Sequence, residues 1–287
     1  MVDLNEAILM NRQTLSLHPT PHPDCSSSLD SLGIQLLGRF QRTGSMADIE
    51  EAIVLKRESL SLCPAPHPNR SASINNLGTG LMVHFETIDS MTDLEEVILL
   101  HRESLSLCLT PHPLHSFSLN NLAGALSYRF DQTGLMANLQ EVILLHRESL
   151  SLHPTSHPYY SNSLHNLANT LRDRFRKTGS MTDLDEAILL LHESLSFHPA
   201  PHSFHYQSLN SLACALGDRF EKTGAMIDLD EAISMLRGLL SLGPHSHRLL
   251  ALDNLAHYLE TRFKENGSQS DFEEVTSLRQ EILAMSK

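Results

Sequence analysis

The sequence predicts an all-α solenoid built from antiparallel helix pairs, and two repeated blocks are the basis of that prediction. The first, Asp-Leu-x-Glu-Ala-Ile, recurs every 45 residues five times and then after 43, starting at Asp3, Asp48, Asp93, Asn138, Asp183, Asp228 and Asp271. The second carries Leu at relative positions 0, +3 and +7 and Phe at +11, starting at Leu29, Ile74, Leu119, Leu164, Leu209 and Leu252. A fixed period of this length is typical of repeat arrays, in which each unit packs on its neighbours.

The Leu and Phe block predicts the first helix of each pair, because its offsets lie on one helical face. A small residue follows the second Leu, as Ala168 follows Leu167, and lets a neighbouring helix approach closely. Prolines suited to a first helical position precede the block, and a Thr-Gly turn predicts a left-handed C-cap after it. These residues are Pro23, Pro68, Pro113 and Pro158, and Gly44, Gly134, Gly179 and Gly224.

The Asp-x-x-Glu pairs predict the start of each second helix, with Asp48 and Glu51 as one example of a capping box. Each of these helices is expected to stop at a proline, namely Pro19, Pro64, Pro154, Pro199 or Pro244. The predicted boundaries are a leading helix over 3–17 and pairs over 23–62, 68–107, 113–152, 158–197, 203–242 and 248–285. We therefore expect about 13 helices in a single solenoid over residues 1–287.

The acidic composition restricts the class of partner. The formal net charge is −13, which argues against binding to nucleic acid or to anionic lipid and favours a neutral or basic protein or peptide. No apolar run approaches the length of a membrane span, and the N-terminus lacks a basic region followed by an apolar stretch. These features predict a soluble, cytoplasmic protein.

The repeat resembles the tetratricopeptide repeat, a helix-turn-helix unit that is usually 34 residues long. Its matching positions in one copy are Leu164, Leu167, Ala168, Leu171, Ala187 and Pro199. The longer turns are similar to those of kinesin light chain-type arrays and of fungal arrays that accompany caspase-like (CHAT) protease domains. The resemblance implies a right-handed superhelix whose first helices line a concave groove, and a non-catalytic scaffold that holds a peptide or partner segment there.

Two other functions remain open. The array is alternatively the recognition or regulatory arm of a larger sensor, whose CHAT protease-like or nucleotide-binding effector domain is absent from this chain. A purely structural spacer is the third hypothesis. The sequence carries none of the common nucleophile, phosphate-binding or zinc-protease motifs, so we predict no enzyme activity, no catalytic residue and no cofactor.

Polar residues beside the inner Leu of each first helix are the candidate peptide-binding residues. An Asn amide both donates and accepts, so a ladder of them can hold a peptide backbone. The set comprises Asn75, Asn76, Asn120, Asn121, His165, Asn166, Asn169, Asn210 and Asn254. The alternative is that these side chains bond within or between the repeats.

Two further columns have both a functional and a structural interpretation. An arginine precedes the Phe of most first helices, and this row predicts either a basic strip or ion pairs with neighbouring acidic residues. The row comprises Arg39, Arg129, Arg174, Arg219 and Arg262, and His84 takes the same position in the second pair. The turns carry a (His/Cys)-x-x-x-His pattern, as in His18 and His22. Each turn offers at most two good ligands of the usual four, so we predict no metal site.

Overall fold

The computed structural model describes residues 2–18, 20, 22, 24–107, 113–152, 160–197, 203–242 and 248–285. These residues form thirteen α-helices and no strand, which confirms the predicted all-α class. In chain order the helices are α1 (Val2–Leu17), α2 (Cys25–Thr43), α3 (Met46–Ser61), α4 (Arg70–Ile88), α5 (Met91–Leu107), α6 (Pro113–Thr133), α7 (Met136–Leu152), α8 (Tyr160–Thr178), α9 (Met181–Phe197), α10 (Ser203–Thr223), α11 (Met226–Ser241), α12 (Arg248–Asn266) and α13 (Gln269–Met285). None of these helices is both long and apolar enough to cross a lipid bilayer.

The chain divides into two compact units, Met1–Leu152 and His153–Lys287. In the first unit α1 packs on α2, and the pairs α2–α3, α4–α5 and α6–α7 follow one another. In the second unit the pairs are α8–α9, α10–α11 and α12–α13. Within each unit a first helix also packs on the second helix of the pair before it, as α4 packs on α3. The predicted ranges of the pairs, and the single solenoid over 1–287, stay predictions.

The repeated leucines form the core of each unit. Leu122 in the first unit and Leu167 and Leu212 in the second are at most 2% exposed. Burial of a leucine side chain contributes about 2 kcal/mol, and one such residue recurs in every first helix. The apolar stripe therefore faces neighbouring helices, as its spacing predicts.

The predicted starts of the second helices are wrong by about two residues. Helix α3 begins at Met46 after the N-cap Ser45, so Asp48 is the third helical residue and not the cap. Its carboxylate accepts two hydrogen bonds from Arg39 of α2, at 2.6 and 2.7 Å. The Asp is therefore directed to the neighbouring helix and away from the first-turn amides. Helices α5, α9 and α11 likewise begin two residues before Asp93, Asp183 and Asp228.

The predicted left-handed C-caps are confirmed. Gly44 has φ 69°, and its N–H donates to the Phe40 carbonyl at 2.7 Å. Gly134, Gly179, Gly224 and Gly267 share this conformation, while Asp89 holds the place after α4 with φ 57°. A residue without a Cβ adopts such angles without a steric penalty.

The structure confirms the predicted role of proline at helix ends in some copies and not in others. Helix α6 begins at Pro113 as predicted, whereas α4 begins at Arg70, two residues after Pro68. Helix α3 ends at Ser61, before Pro64. The remaining prolines of these sets lie outside the described residues; they are Pro19, Pro23, Pro154, Pro158, Pro199 and Pro244.

Candidate functional site

The arginine row fastens the two helices of each pair. Arg174 donates to both carboxylate oxygens of Asp183, at 2.6 and 2.7 Å, in the geometry already described for Arg39. Arg219–Asp228 and Arg262–Asp271 repeat this bidentate contact. The ion-pair interpretation is therefore confirmed for these four residues. A basic strip would need guanidinium groups directed to a partner, and these are directed to the buried carboxylates.

Two copies keep the fastening with different chemistry. In the second pair His84 Nδ1 lies 2.6 Å from Asp93 Oδ2. In the third pair Arg129 donates to the amide oxygen of Asn138 at 2.8 Å and forms an ion pair with Glu95 at 3.0 Å. The position therefore needs a donor on the first helix and an oxygen acceptor on the second.

In the first unit the candidate amides differ in how well they are satisfied. Asn76 bonds to the Asp30 carboxylate. Asn75 is 6% exposed, and neither its Nδ2 nor its Oδ1 has a hydrogen-bond partner. Asn120 also has a buried, unpartnered Oδ1, and Asn121 is half-buried beside it. An unsatisfied buried acceptor costs about 1–3 kcal/mol, so these are strained places in the fold.

In the second unit most of the candidates bond to each other. The Nδ2 of Asn169 donates to His165 Nε2 at 2.8 Å, and His165 Nδ1 lies 3.2 Å from Ser208 Oγ. The Nδ2 of Asn254 donates to the Oδ1 of Asn210 at 2.9 Å. For these four residues the structure supports the alternative that the polar column bonds within the array. Asn166 is exposed.

A cavity of about 240 Å³ lies between α4 and α6, with His101 of α5 also lining it. Met82 and Val83 form part of the α4 wall, and Asn120 and Asn121 lie on the α6 wall. Glu86 and Tyr128 line it as well, and the Tyr128 hydroxyl donates to the Glu86 carboxylate at 2.8 Å. The two sequence-predicted asparagines of α6 are therefore brought to one cavity, whereas Asn75 does not line it.

Two glycines shape this cavity in different ways. At Gly124 an added Cβ would meet nothing within 4 Å, so the space beside it is open. At Gly78 an added Cβ would lie 2.8 Å from Nε2 of His101, so the imidazole packs directly against the backbone of α4.

The His101 imidazole is neutral at physiological pH. It is 1% exposed, and burial lowers its pKa to about 4. Its Nδ1 has no hydrogen-bond partner. His146 and His165 are buried in the same way, and desolvation lowers the pKa of each to about 4.

The residue at the place of His101 in the preceding repeat is Lys56, which sequence reasoning missed. Lys56 is 1% exposed, and its aliphatic stem runs between Gly33 of α2 and Gly80 of α4, where added Cβ atoms would lie 3.1 and 3.4 Å away. Burial lowers the pKa of its amine, and the charge of Asp30 partly offsets that effect. The 45-residue register was the available signal, because it aligns Lys56 with His101, His146, Leu191 and Leu236.

A column of buried serines was also missed. Ser104 Oγ lies 2.8 Å from Ser118 Oγ, and Ser194 Oγ lies 3.1 Å from Ser208 Oγ. Each contact joins the end of a second helix to the first helix that follows. The small serine side chains let these helices approach closely, and their hydroxyl groups hydrogen-bond to each other.

The first interhelical turn brings His18, His22 and Asp24 together, with one potential ligand atom of each within 4.8 Å of the others. The two imidazole rings are stacked, with centroids 4.3 Å apart and planes at 14°. Ring-nitrogen lone pairs lie in the ring plane, so stacked rings direct them side by side and not toward one ion. The His22 Nδ1 also accepts the Asp24 N–H at 3.1 Å. The absence of a metal site therefore stays a prediction; the other turn residues of the pattern fall mostly outside the described residues, including Cys108, His112, His153, His157, His198, His202 and His247.

Comparison with known proteins identifies the repeat. The family model of the tetratricopeptide repeat matches residues 161–200 and 207–247. A crystal structure of the nearly identical TPR-like repeats of a putative kinesin light chain from Podospora anserina is similar, with 21% identity, a TM-score of 0.52, and coverage of 77% of this chain and 99% of that one.

A crystal structure of a tetratricopeptide repeat protein from Parabacteroides merdae has 15% identity, a TM-score of 0.53, and coverage of 88% of this chain and 87% of that one. No curated protein sequence matches the chain. At these identities the likeness concerns the fold, which agrees with the helix pairs in both units. The tetratricopeptide repeat is matched directly in α8–α9 and α10–α11, and the helix pairs of both units have the fold of tetratricopeptide repeat proteins.

Proposed function

We propose that this protein is a non-catalytic scaffold that binds an extended peptide segment of a protein partner across α4 and α6. Tetratricopeptide repeats generally mediate protein–protein interactions, which supports the class of function. The observation that carries the proposal is the cavity between these two first helices, with Asn120 and Asn121 on its wall.

The amide of Asn120 provides the chemical reason for a bound peptide. Its Oδ1 is buried without a donor, and a peptide N–H is a donor of suitable size. Forming that hydrogen bond would recover part of the free energy that the unsatisfied acceptor costs. Asn121 lies next to it and can bond to the same backbone.

Only some of the nine candidate residues lie where they can contact a peptide in this cavity. Asn120 and Asn121 are the proposed contacts, whereas Asn166 belongs to the second unit and is exposed there. Asn76 already bonds to Asp30, and Asn75 is too deeply buried to reach a ligand without rearrangement. His165, Asn169, Asn210 and Asn254 already form the hydrogen bonds described above within the second unit.

The net charge of −13 favours a neutral or basic peptide over an acidic one. Long-range attraction of this kind mainly raises the association rate and weakens as salt is added. Peptides retained by the scaffold should therefore lose affinity at high ionic strength.

A peptide array tests the proposal. The wild-type chain and an Asn120→Ala/Asn121→Ala variant would be applied to the same random-sequence array, and the strongest peptides would then be titrated by fluorescence anisotropy. We expect the double variant to bind about tenfold more weakly, since one lost hydrogen bond of roughly 1.4 kcal/mol accounts for that factor.

Two control variants separate binding from folding. Asn69→Ala changes an exposed Asn in the turn before α4 and should leave affinity unchanged. Asn254→Ala breaks the bond to Asn210, so it should lower the melting temperature without lowering affinity. Equal affinities for the wild type and the α6 double variant would refute the assignment of these amides.

A further inference from the structure

We propose that the cavity between α4 and α6 receives the side chain of a lysine residue from the bound peptide. This inference rests on the proposed function, because it names the residue type that the peptide places in that cavity. In the preceding repeat, the chain fills the corresponding space with a lysine of its own, Lys56.

Between α2 and α4, the Lys56 stem lies against two glycines on facing helices, Gly33 and Gly80. The Asp30 carboxylate acts favourably on its ammonium group. The packing of these helices therefore accommodates an unbranched aliphatic stem that ends in a cation. A Cβ at Gly33 would press on the lysine stem at 3.1 Å, whereas one at Gly80 would meet it at 3.4 Å, an ordinary van der Waals distance.

Between α4 and α6, the same three positions are held by Gly78, Ala125 and His101. The His101 ring stops against Gly78 and is shorter than a lysine, so the outer part of the space is empty. Typical sites for drug-sized ligands measure about 300–1,000 Å³, and a cavity of about 240 Å³ suits a single side chain.

The lining of the cavity is suited to an ammonium group. Met82 and Val83 offer apolar surface to a four-carbon stem. Glu86 supplies a carboxylate, and the Tyr128 ring beside it can interact with a cation through its face. Among the described lining residues there is no Lys or Arg, and the buried His101 is neutral, so no positive charge opposes the ligand.

In the second unit, side chains of the protein itself fill the corresponding spaces between first helices. Between α8 and α10, Arg172 forms a buried ion pair with Asp218. Between α10 and α12, the Tyr258 ring packs on Gly217, where an added Cβ would lie 2.6 Å from the ring. The spaces between α2 and α4 and between α8 and α10 are thus occupied by a basic side chain of the protein itself, Lys56 and Arg172. This favours a cation over a purely apolar group as the ligand of the space between α4 and α6.

Two variants separate shape from charge. Gly124→Leu would place a side chain in open space, and it replaces a helix-interior glycine by a strong helix former. Its melting temperature should therefore be equal to or above that of the wild type while the cavity is filled. Glu86→Gln keeps the shape and removes the carboxylate.

The experiment uses the full chain with ¹³C-labelled methionine methyl groups. Nα-acetyl-lysine N-methylamide is titrated while the Met82 methyl resonance is followed, and Nε-acetylation of the same probe removes its charge. We expect a saturable shift of Met82 with the lysine probe, weakened about tenfold by acetylation or by Glu86→Gln, and abolished by Gly124→Leu. No saturable shift, or equal shifts with both probes, would overturn the inference.

The outcomes distinguish this inference from the proposed function. If array-selected peptides bind the wild type and Gly124→Leu equally, while Asn120→Ala/Asn121→Ala weakens them, the scaffold function stands and the lysine cavity is refuted. If the lysine probe shifts Met82 but no array peptide binds, the cavity stands and the peptide scaffold is refuted.

Discussion

At the residue scale, buried polar side chains distinguish the repeats from one another. Lys56, His101 and His146 occupy one column of the first unit, and Leu191 and Leu236 occupy it in the second. The same place between helices therefore holds a cation, two neutral imidazoles or leucine. Because a buried imidazole is kept neutral by desolvation, this column makes the stability of the first unit depend on pH.

His146→Leu tests this dependence. Burial lowers the folded-state pKa of His146 to about 4, against about 6.5 in an unfolded chain, so protons bind the unfolded chain preferentially. The stabilisation is complete above pH 6.5 and is lost as the pH falls from 6.5 toward 4. At pH 5 the loss is about 2 kcal/mol. Urea unfolding at pH 7.5 and pH 5.0 should show a smaller acid destabilisation in the variant, by about that amount.

Leucine is the matched replacement because the second unit already uses it in this column, at Leu191 and Leu236. Carboxylates that titrate elsewhere contribute equally to the wild type and the variant. The same loss of stability in both proteins between the two pH values would contradict a buried, neutral His146.

The arginine fastening is also tested by single substitutions. Arg174→Met leaves the buried carboxylate of Asp183 without its bidentate partner, so we expect the free energy of unfolding to fall by about 2 kcal/mol. This lies below the usual range for a fully buried pair because Arg174 is partly exposed. Thermal unfolding followed by circular dichroism measures the loss.

Asp183→Asn is the control, since it reproduces the Arg129–Asn138 contact of the third pair. It should cost less than Arg174→Met, because an oxygen acceptor stays opposite the guanidinium. A larger loss for the Asn variant would show that charge, and not the hydrogen-bond geometry, holds the pair together.

At the element scale, the repeat period allowed the helices to be predicted but not their first residues. Apolar side chains at helical spacing must be buried, and Leu167 and Leu212 are. The Asp-x-x-Glu pattern, however, fits both a cap and a third helical position. The choice depends on Arg39, which draws Asp48 toward α2, and that contact is not visible in the local sequence.

The end of α4 gives a prediction at this scale. Asp89 has φ 57° where five other copies have glycine, and its N–H donates to the Phe85 carbonyl at 2.7 Å. Asp89→Gly should raise the free energy of unfolding by about 0.5 kcal/mol, because glycine adopts this conformation without strain. Gly179→Ala should lower it by about 1 kcal/mol for the converse reason. Chemical denaturation measures both, and a loss of stability in Asp89→Gly would contradict the account of this cap.

At the scale of the whole molecule, the candidate site could be predicted only in part. The column of asparagines on the first helices was visible in the sequence, and Asn120 and Asn121 do line a cavity. Whether an amide can bond to a peptide depends on residues one repeat away. Asn254, for example, already donates a hydrogen bond to the Asn210 amide oxygen. The cavity itself depends on Gly124 and on the short reach of His101, and neither is evident without the packing of α4, α5 and α6.

The first unit also has an exposed apolar surface on its second helices, which is an alternative binding site for a partner. Val54, Leu99 and Leu144 are 56–66% exposed at equivalent positions of the second helices α3, α5 and α7. An exposed apolar column of this kind is a common feature of interaction surfaces. A partner bound there would leave the first helices unoccupied.

The most direct test is methyl cross-saturation from an array-selected peptide to the full chain labelled at Met, Val, Leu and Ala methyl groups. The account predicts that saturation reaches Met82, Val83 and Ala125, which line the α4–α6 cavity. Saturation confined to Val54, Leu99 and Leu144 would contradict it and would place the partner on the second helices.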